Sequence, residues 1–155
     1  MLLISLHLCI RDSRRKNMNE KIQSILKKEI LRIKPQGKDL QEINELTKRV
    51  ASLLEREIKK RKIKADVFIG GSVAKDTLIK KDAYDIDIFV RFRKHGPFSE
   101  LLEPLAKKVA SILKGKFQKM HGSRDYFRVK IKNLLFEFIP VLFITHKTQA
   151  KNITD

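Results

Sequence analysis

Two aspartates stand two residues apart in an otherwise apolar segment. Asp85 and Asp87 alternate with isoleucines in the stretch DIDIFV, and alternate side chains of a β-strand point to the same face. Like charges held about 6 to 7 Å apart on a strand repel each other unless a cation lies between them. Mg²⁺ prefers carboxylate oxygens together with phosphate. The pair therefore predicts a magnesium site, and the alternative is a pair of solvated acids on an exposed edge strand.

A glycine-rich turn precedes the aspartates. Gly70 and Gly71 follow the apolar stretch DVFI and lead into Ser72, which is predicted to open a short helix or turn over SVAKDTLI. Glycine allows a tight turn and a close approach of the backbone to a ligand, and amides at the start of a helix bind phosphate. We therefore predict that this turn and the Ser72 hydroxyl contact a phosphate. A plain strand-to-helix connection is the alternative.

A third acid occurs later in the chain. Glu137 lies within LLFEFIPVLFI, with apolar residues on both sides. Three carboxylates can hold two Mg²⁺ ions about 3.5 to 4 Å apart, which activates an attacking hydroxyl and stabilises a leaving pyrophosphate. The turn and the three acids together predict nucleotidyl transfer. Taken alone, Glu137 is equally compatible with the solvent face of a half-buried strand.

The elements that position these residues follow from hydrophobic periodicity. Helical spacing predicts a helix from Asn19 to Ile33, a second helix capped by Asp39, and a third over residues 98–113. Strands are predicted in the stretches DVFIGG, DIDIFVRF, KFQKMH, YFRVKIK and LLFEFIPVLFI, the last two forming a hairpin that turns at Asn133. This order predicts an α/β-type layered domain, with helices packed on a mixed sheet of about five strands.

Length and composition narrow the class of protein. The 155 residues predict one domain, over residues 18–145, with a polar tail over residues 146–155 and an extension or mis-assigned start over residues 1–17. A net charge of +17 favours a polyanionic partner, although solvated surface lysines are the alternative. Cys9 is the only cysteine, which excludes an intrachain disulfide, and we expect a cytoplasmic protein. No apolar run approaches the roughly 20 residues that span a bilayer.

The three motifs together resemble a known superfamily. The series GGSVAKDT, DIDIFV and FEFIP is similar to the DNA polymerase β-like nucleotidyltransferases, whose pattern is Gly-Ser, then Asp/Glu-x-Asp, then a third acid. Within that superfamily, residues 40–155 resemble the head domain of the archaeal, class I CCA-adding tRNA nucleotidyltransferases. Two positions depart from the family, because Lys75 stands where it has Arg and Glu137 stands where it usually has Asp.

The resemblance implies a nucleotide-binding set and a metal-binding set of residues. The set that contacts the triphosphate of ATP or CTP comprises Gly71, Ser72 and Lys75. The set that binds two Mg²⁺ ions comprises Asp85, Asp87 and Glu137. It also implies that Glu137 assists deprotonation of an RNA 3′-hydroxyl, at the acceptor end of a tRNA. Further domains of the family do not occur in these residues, so the chain is expected to be a stand-alone head, one half of a split enzyme whose second chain supplies them, or a truncated piece of a longer enzyme.

Three residues before the final strands are candidates for the RNA path. Arg124, Tyr126 and Arg128 combine guanidinium and aromatic groups, which stack on bases, and an exposed strand face is the equal alternative. Two other functions stay open at this point. One is a minimal nucleotidyltransferase that AMPylates a protein partner, as in toxin–antitoxin pairs, and the other is a non-catalytic RNA-binding head that needs a partner chain.

Overall fold

A computed structural model of the protein describes residues 19–150, so the predicted extension over residues 1–17 lies outside the described residues. The chain divides after Lys34 into two compact units. In the first unit, helix α1 covers residues 19–33, which confirms the predicted N-terminal helix. Its large apolar side chains are exposed: Ile22, Ile25, Leu26, Ile30, Leu31 and Ile33. No helix within the described range is both long and apolar enough to cross a membrane.

The second unit contains the remaining helices and all the strands of the described chain. The helices are α2 (Gly37–Lys60), α3 (Gly71–Ala74) and α4 (Phe98–Leu113). The strands are β1 (Ala65–Ile69), β2 (Tyr84–Phe92), β3 (Lys116–Met120), β4 (Tyr126–Ile131) and β5 (Leu134–Leu142). The predicted order of helices and strands is confirmed.

One mixed sheet of five strands runs through this unit, as predicted, in the order β1-β2-β5-β4-β3. Strands β2 and β5 pair in parallel at the centre, and the other pairs are antiparallel. A parallel pair needs a crossover, which α4 and the β3–β4 hairpin provide between the two strands. Strand β2 is an interior strand of the sheet, but β1 pairs with it only from Ile88 to Phe92, so Asp85 and Asp87 have a paired strand, β5, on one side alone.

The two faces of the sheet differ in chemistry. Residues 84, 86, 88, 90 and 92 of β2 are buried, and they join one core with the apolar stripes of α2 and α4. Phe136 and Phe138 of β5 belong to the same core. The alternate residues of both strands therefore point to the opposite face, which we call the open face. The open face carries Asp85, Asp87 and Glu137.

Two local predictions need correction. Helix α2 begins at Gly37 with Gln36 at its N-cap, so Asp39 lies in the first turn rather than at the cap. An acid in the first turn still interacts favourably with the helix dipole. Helix α3 begins at Gly71, one residue before Ser72, where the sequence predicted its start.

Candidate active site

The three predicted carboxylates lie on two neighbouring strands. Asp85 and Asp87 come from β2, and Asp87 is the direct register partner of Glu137 on β5. Side chains of register partners lie side by side on the same face of a sheet. The structure therefore brings all three carboxylates together at the centre of the open face, and we call Asp85, Asp87 and Glu137 the acidic site.

The glycine turn lies directly against the acidic site. The Gly70 amide donates a hydrogen bond to the Asp87 carbonyl oxygen at 2.9 Å. Gly71 has φ +60°, and a Cβ atom there would lie 1.8 Å from Asp87 Oδ2. A side chain at position 71 would therefore displace the carboxylate, and only glycine adopts this conformation without strain. The sequence predicted a close approach to a ligand, and the structure shows a close approach to Asp87 itself.

Two of the three carboxylates already have a cation. Lys81 Nζ lies 3.1 Å from Asp85 Oδ2, and Arg128 Nε donates to Glu137 Oε1 at 2.7 Å. The Asp85 side chain is 54% exposed, whereas that of Glu137 is only 18% exposed. An exposed ion pair between lysine and a carboxylate adds little to the free energy of unfolding. An ion pair between arginine and a carboxylate on two neighbouring strands is held more firmly.

Asp87 is in a different electrostatic position. Burial raises the pKa of the Asp87 carboxyl, and the charges of Glu137 and Asp85 raise this pKa further. No cation of the described chain is among the groups that shift it. The folded chain therefore holds the Asp87 charge at a cost, which a divalent cation beside the carboxylate would offset.

The donor atoms of the acidic site suit Mg²⁺, because all of them are carboxylate oxygens. Within residues 19–150, however, no three His, Cys, Asp or Glu side chains are already arranged to hold a metal ion. The ion pairs of Asp85 and Glu137 give a physical reason, since each carboxylate is oriented toward its own cation. Asp85, Asp87 and Glu137 would hold the ions after a local rearrangement of these pairs.

The remaining predicted residues are spread around the acidic site. Ser72 is half-buried within α3, and Lys75 is the exposed residue that follows this helix. Tyr126 and Arg128 lie on the same side of β4, two residues apart, and the Arg128 guanidinium is 5.6 Å from the centre of the Tyr126 ring. Arg124 differs from them, because its guanidinium lies over Phe98 at the start of α4.

Neither Lys81 nor Arg128 was predicted from the sequence as a partner of a carboxylate, although the pairing of Arg128 could have been. The β4–β5 hairpin pairs Ile131 with Leu134, and three steps outward along each strand reach Arg128 and Glu137. A turn at Asn133 fixes the register of the hairpin, so the pairing of Arg128 with Glu137 follows from the predicted turn. Lys81 lies in the loop before β2, and its contact with Asp85 depends on a loop conformation that periodicity does not encode.

A family model identifies the domain that carries these residues. The model described as "Nucleotidyltransferase domain" matches residues 48–141, which is more than half of the chain. The chain belongs to the nucleotidyltransferase-domain family. The match runs from α2 to the penultimate residue of β5, so it includes the glycine turn and all three members of the acidic site.

Curated relatives of the same kind occur in archaea. The chain is 37% identical over 92 residues to the CCA-adding enzyme of Nanoarchaeum equitans, covering 58% of this chain and 22% of that protein. It is 23% identical over 137 residues to the CCA-adding enzyme of Pyrococcus horikoshii, covering 86% of this chain and 30% of that protein. These similarities confirm the predicted relationship to the head of the CCA-adding enzymes. The chain spans less than a third of the length of either relative.

Solved structures show the same nucleotidyltransferase fold. The RNA terminal uridylyl transferase Cid1 superposes with a TM-score of 0.63 at 11% identity, over 78% of this chain and 36% of that one. The polymerase core of TRAMP, an RNA surveillance complex, superposes with a TM-score of 0.57 at 15% identity, over 72% of this chain and 34% of that one. At these identities the likeness shows the fold alone.

Proposed function

We propose that this chain is the catalytic head of an Mg²⁺-dependent nucleotidyltransferase that extends the 3′ end of RNA. The observation that carries the proposal is the register pairing of Asp87 with Glu137 on two central parallel strands, with Asp85 on the same face and the Gly70–Gly71 turn against Asp87. Three carboxylates beside a backbone turn form a site for metal-bound triphosphate.

The reaction assigned to this site is transfer of a nucleoside monophosphate. The RNA 3′-oxygen forms a bond to the α-phosphorus of the triphosphate, the bond from that phosphorus to the β-phosphate breaks, and pyrophosphate leaves with the hydroxyl proton released. When bound, divalent ions activate the hydroxyl and neutralise the charge that develops on the pyrophosphate. Asp85, Asp87 and Glu137 would hold those ions, and Gly71, Ser72 and Lys75 would contact the triphosphate.

The finer assignment is to the acceptor end of tRNA, with CTP and ATP as donors. The curated relatives are CCA-adding enzymes, Cid1 has RNA terminal uridylyl transferase activity, and TRAMP is an RNA surveillance complex. The net charge of +17 suits a polyanionic substrate. Since the chain spans under a third of those relatives, the alternative to a stand-alone head is a head that needs a second chain to supply body domains.

The test is incorporation of α-labelled CTP and ATP into tRNA that lacks its 3′ CCA, with Mg²⁺, by wild type, Asp87→Asn and Glu55→Gln. Glu55 is an exposed residue of α2, so the control removes a charge away from the acidic site. We expect label on RNA, a loss of about 10²- to 10³-fold in Asp87→Asn, and wild-type activity in Glu55→Gln.

Each of the other outcomes would show that a different part of the proposal is wrong. Mg²⁺-dependent nucleotide binding without RNA labelling would contradict the stand-alone reaction and leave a partner-dependent head. Label on a protein rather than on RNA would favour AMPylation. Absence of both transfer and Mg²⁺-dependent nucleotide binding would refute the enzymatic proposal.

A further inference from the structure

An arginine lies within the acidic site, on the strand next to its third carboxylate. Arg128 of β4 is the direct register partner of Glu137 of β5, and its Nε donates to Oε1 at 2.7 Å. The Arg128 side chain is 31% exposed and that of Glu137 is 18% exposed, so both groups are partly buried. The pair therefore joins two fixed strands at the centre of the open face.

This pair constrains Glu137 more than the neighbouring pair constrains Asp85. Lys81 comes from a loop, its contact with Asp85 is longer at 3.1 Å, and both side chains are substantially exposed. Exposed ion pairs of this type open readily, whereas a guanidinium held by its strand keeps its hydrogen bond. Tyr126, two residues before Arg128 and on the same side of β4, borders the guanidinium at 5.6 Å.

The same carboxylate is one that the proposed reaction needs for a divalent ion. A carboxylate oxygen that accepts a hydrogen bond from a guanidinium is a weaker metal ligand, and the arginine charge also repels a nearby cation. The lack of a ready three-residue metal arrangement among the described residues agrees with this competition.

We propose that Arg128 is a positioning residue that holds the Glu137 carboxylate on the open face and competes with divalent ions for it. Arg128 thereby sets the concentration of divalent cation at which the acidic site fills. The inference rests on the proposed function, because it requires that the acidic site binds such ions. It gives Arg128 a role inside the site, in addition to the RNA contact that its sequence position predicted.

Direct titration of the full chain with Mn²⁺, followed by electron paramagnetic resonance without nucleotide or RNA, measures this effect. We compare wild type with Arg128→Gln, and use Lys130→Gln as the matched control. Lys130 is exposed, lies on the same side of β4 two residues further on, and its substitution removes the same charge. A unit charge a few ångströms from a divalent ion changes its binding about tenfold even in water-like surroundings.

We expect Arg128→Gln to bind Mn²⁺ about tenfold more tightly and Lys130→Gln to stay within about twofold of wild type. In a Glu137→Gln background the gain from Arg128→Gln should shrink, because the carboxylate for which the two cations compete is gone. Arg128→Lys keeps the charge and loses the planar guanidinium, so its Mn²⁺ affinity should lie between those of wild type and Arg128→Gln. This variant replaces Arg128→Gln if the glutamine variant does not fold.

The outcomes separate this inference from the proposed function. In one outcome, Asp87→Asn abolishes Mn²⁺ binding, whereas Arg128→Gln leaves the affinity unchanged or weakens it. This outcome would overturn only the role of Arg128. Equal tightening in Lys130→Gln would also overturn it, since it would show a general charge effect. Absence of Mn²⁺ binding by the wild type would overturn both proposals.

Discussion

Two groups of charged side chains lie on the sheet, and their charges are balanced in opposite ways. In the acidic site, three carboxylates face one arginine and one lysine. Where β1 pairs with the end of β2, a single carboxylate, Asp66 of β1, contacts both Arg91 and Arg93 at 2.5 Å. We call Asp66, Arg91 and Arg93 the arginine cluster.

The difference in balance separates a structural ion cluster from a site that holds more acids than cations. In the arginine cluster, the single carboxylate pairs with two guanidinium groups. These groups also lie over aromatic rings, and the Arg93 guanidinium is 3.7 Å from the centre of the Phe143 ring. The acidic site leaves Asp87 with a raised pKa among other acids. In a chain with a net charge of +17, a local excess of acid is the exception, and such exceptions occur at functional sites.

The largest effect should come from breaking the contact between the glycine turn and Asp87. In Gly71→Ala, the new Cβ would meet Asp87 Oδ2, and the residue would have to adopt φ +60°. We expect a loss of about 2 to 4 kcal/mol in the free energy of unfolding, measured by urea denaturation, together with loss of nucleotidyl transfer.

Gly96→Ala is the matched control for this substitution. Nothing lies within 4 Å of a Cβ atom at Gly96, and its φ is not positive. Its free energy of unfolding should stay within about 1 kcal/mol of wild type. Equal stability of the two variants would show that the turn does not press on Asp87.

A smaller effect is expected at the arginine cluster. Asp66→Asn removes the acid that Arg91 and Arg93 share, so the two guanidinium groups are left without compensation. The side chains are partly exposed, and we expect a loss of about 1 kcal/mol in the free energy of unfolding. Nucleotidyl transfer should stay at the wild-type level. A loss of transfer comparable to that of Asp87→Asn would contradict the division into a structural cluster and an active site.

The smallest effect should appear in the pH dependence of stability at the acidic site. Because the folded-state pKa of Asp87 is raised, the folded chain binds this proton more tightly than the unfolded chain. The resulting stabilisation is present at low pH and is lost as pH rises from the unfolded pKa through the folded pKa. Above that window the ionised carboxylate destabilises the fold.

The direction of this pH dependence can be measured by thermal unfolding of wild type and Asp87→Asn between about pH 4 and pH 7, with EDTA present. We expect the asparagine variant to melt higher at neutral pH and the difference to narrow toward the acidic end. Asp66→Asn should do the opposite at neutral pH and melt lower than wild type. A wild type that is more stable than Asp87→Asn at neutral pH would contradict the electrostatic cost assigned to Asp87.

Much of the fold was accessible from the sequence because its periodicities are strong. The alternation in β2 predicted that Asp85 and Asp87 share a face, and the stripe of α2 predicted a packed helix. The start of α2 was misplaced, because Gln36 and Gly37 carry no side-chain cap and Asp39 offered a false one. The register of the β4–β5 hairpin was also accessible, since a two-residue turn fixes which residues of the two strands face each other.

The centre of the acidic site was less accessible. Asp87 and Glu137 are register partners in a parallel pair, and no turn connects their strands directly. Their register depends on how α4 and the β3–β4 hairpin pack between them, which local sequence does not specify. The apolar residues around Glu137 marked it as a candidate third acid, and the structure supplied its neighbours.

The parallel pairing of β2 with β5 also has a consequence for the order of folding. The β1–β2 and β4–β5 hairpins can form from segments close together in sequence, but the acidic site needs contacts between residues 50 positions apart. Contacts of such sequence separation are slow to form, because the chain loses the entropy of a large loop before it gains them. We therefore expect the acidic site to form late, when β5 docks, and to be absent from a nascent chain whose β5 has not yet left the ribosome.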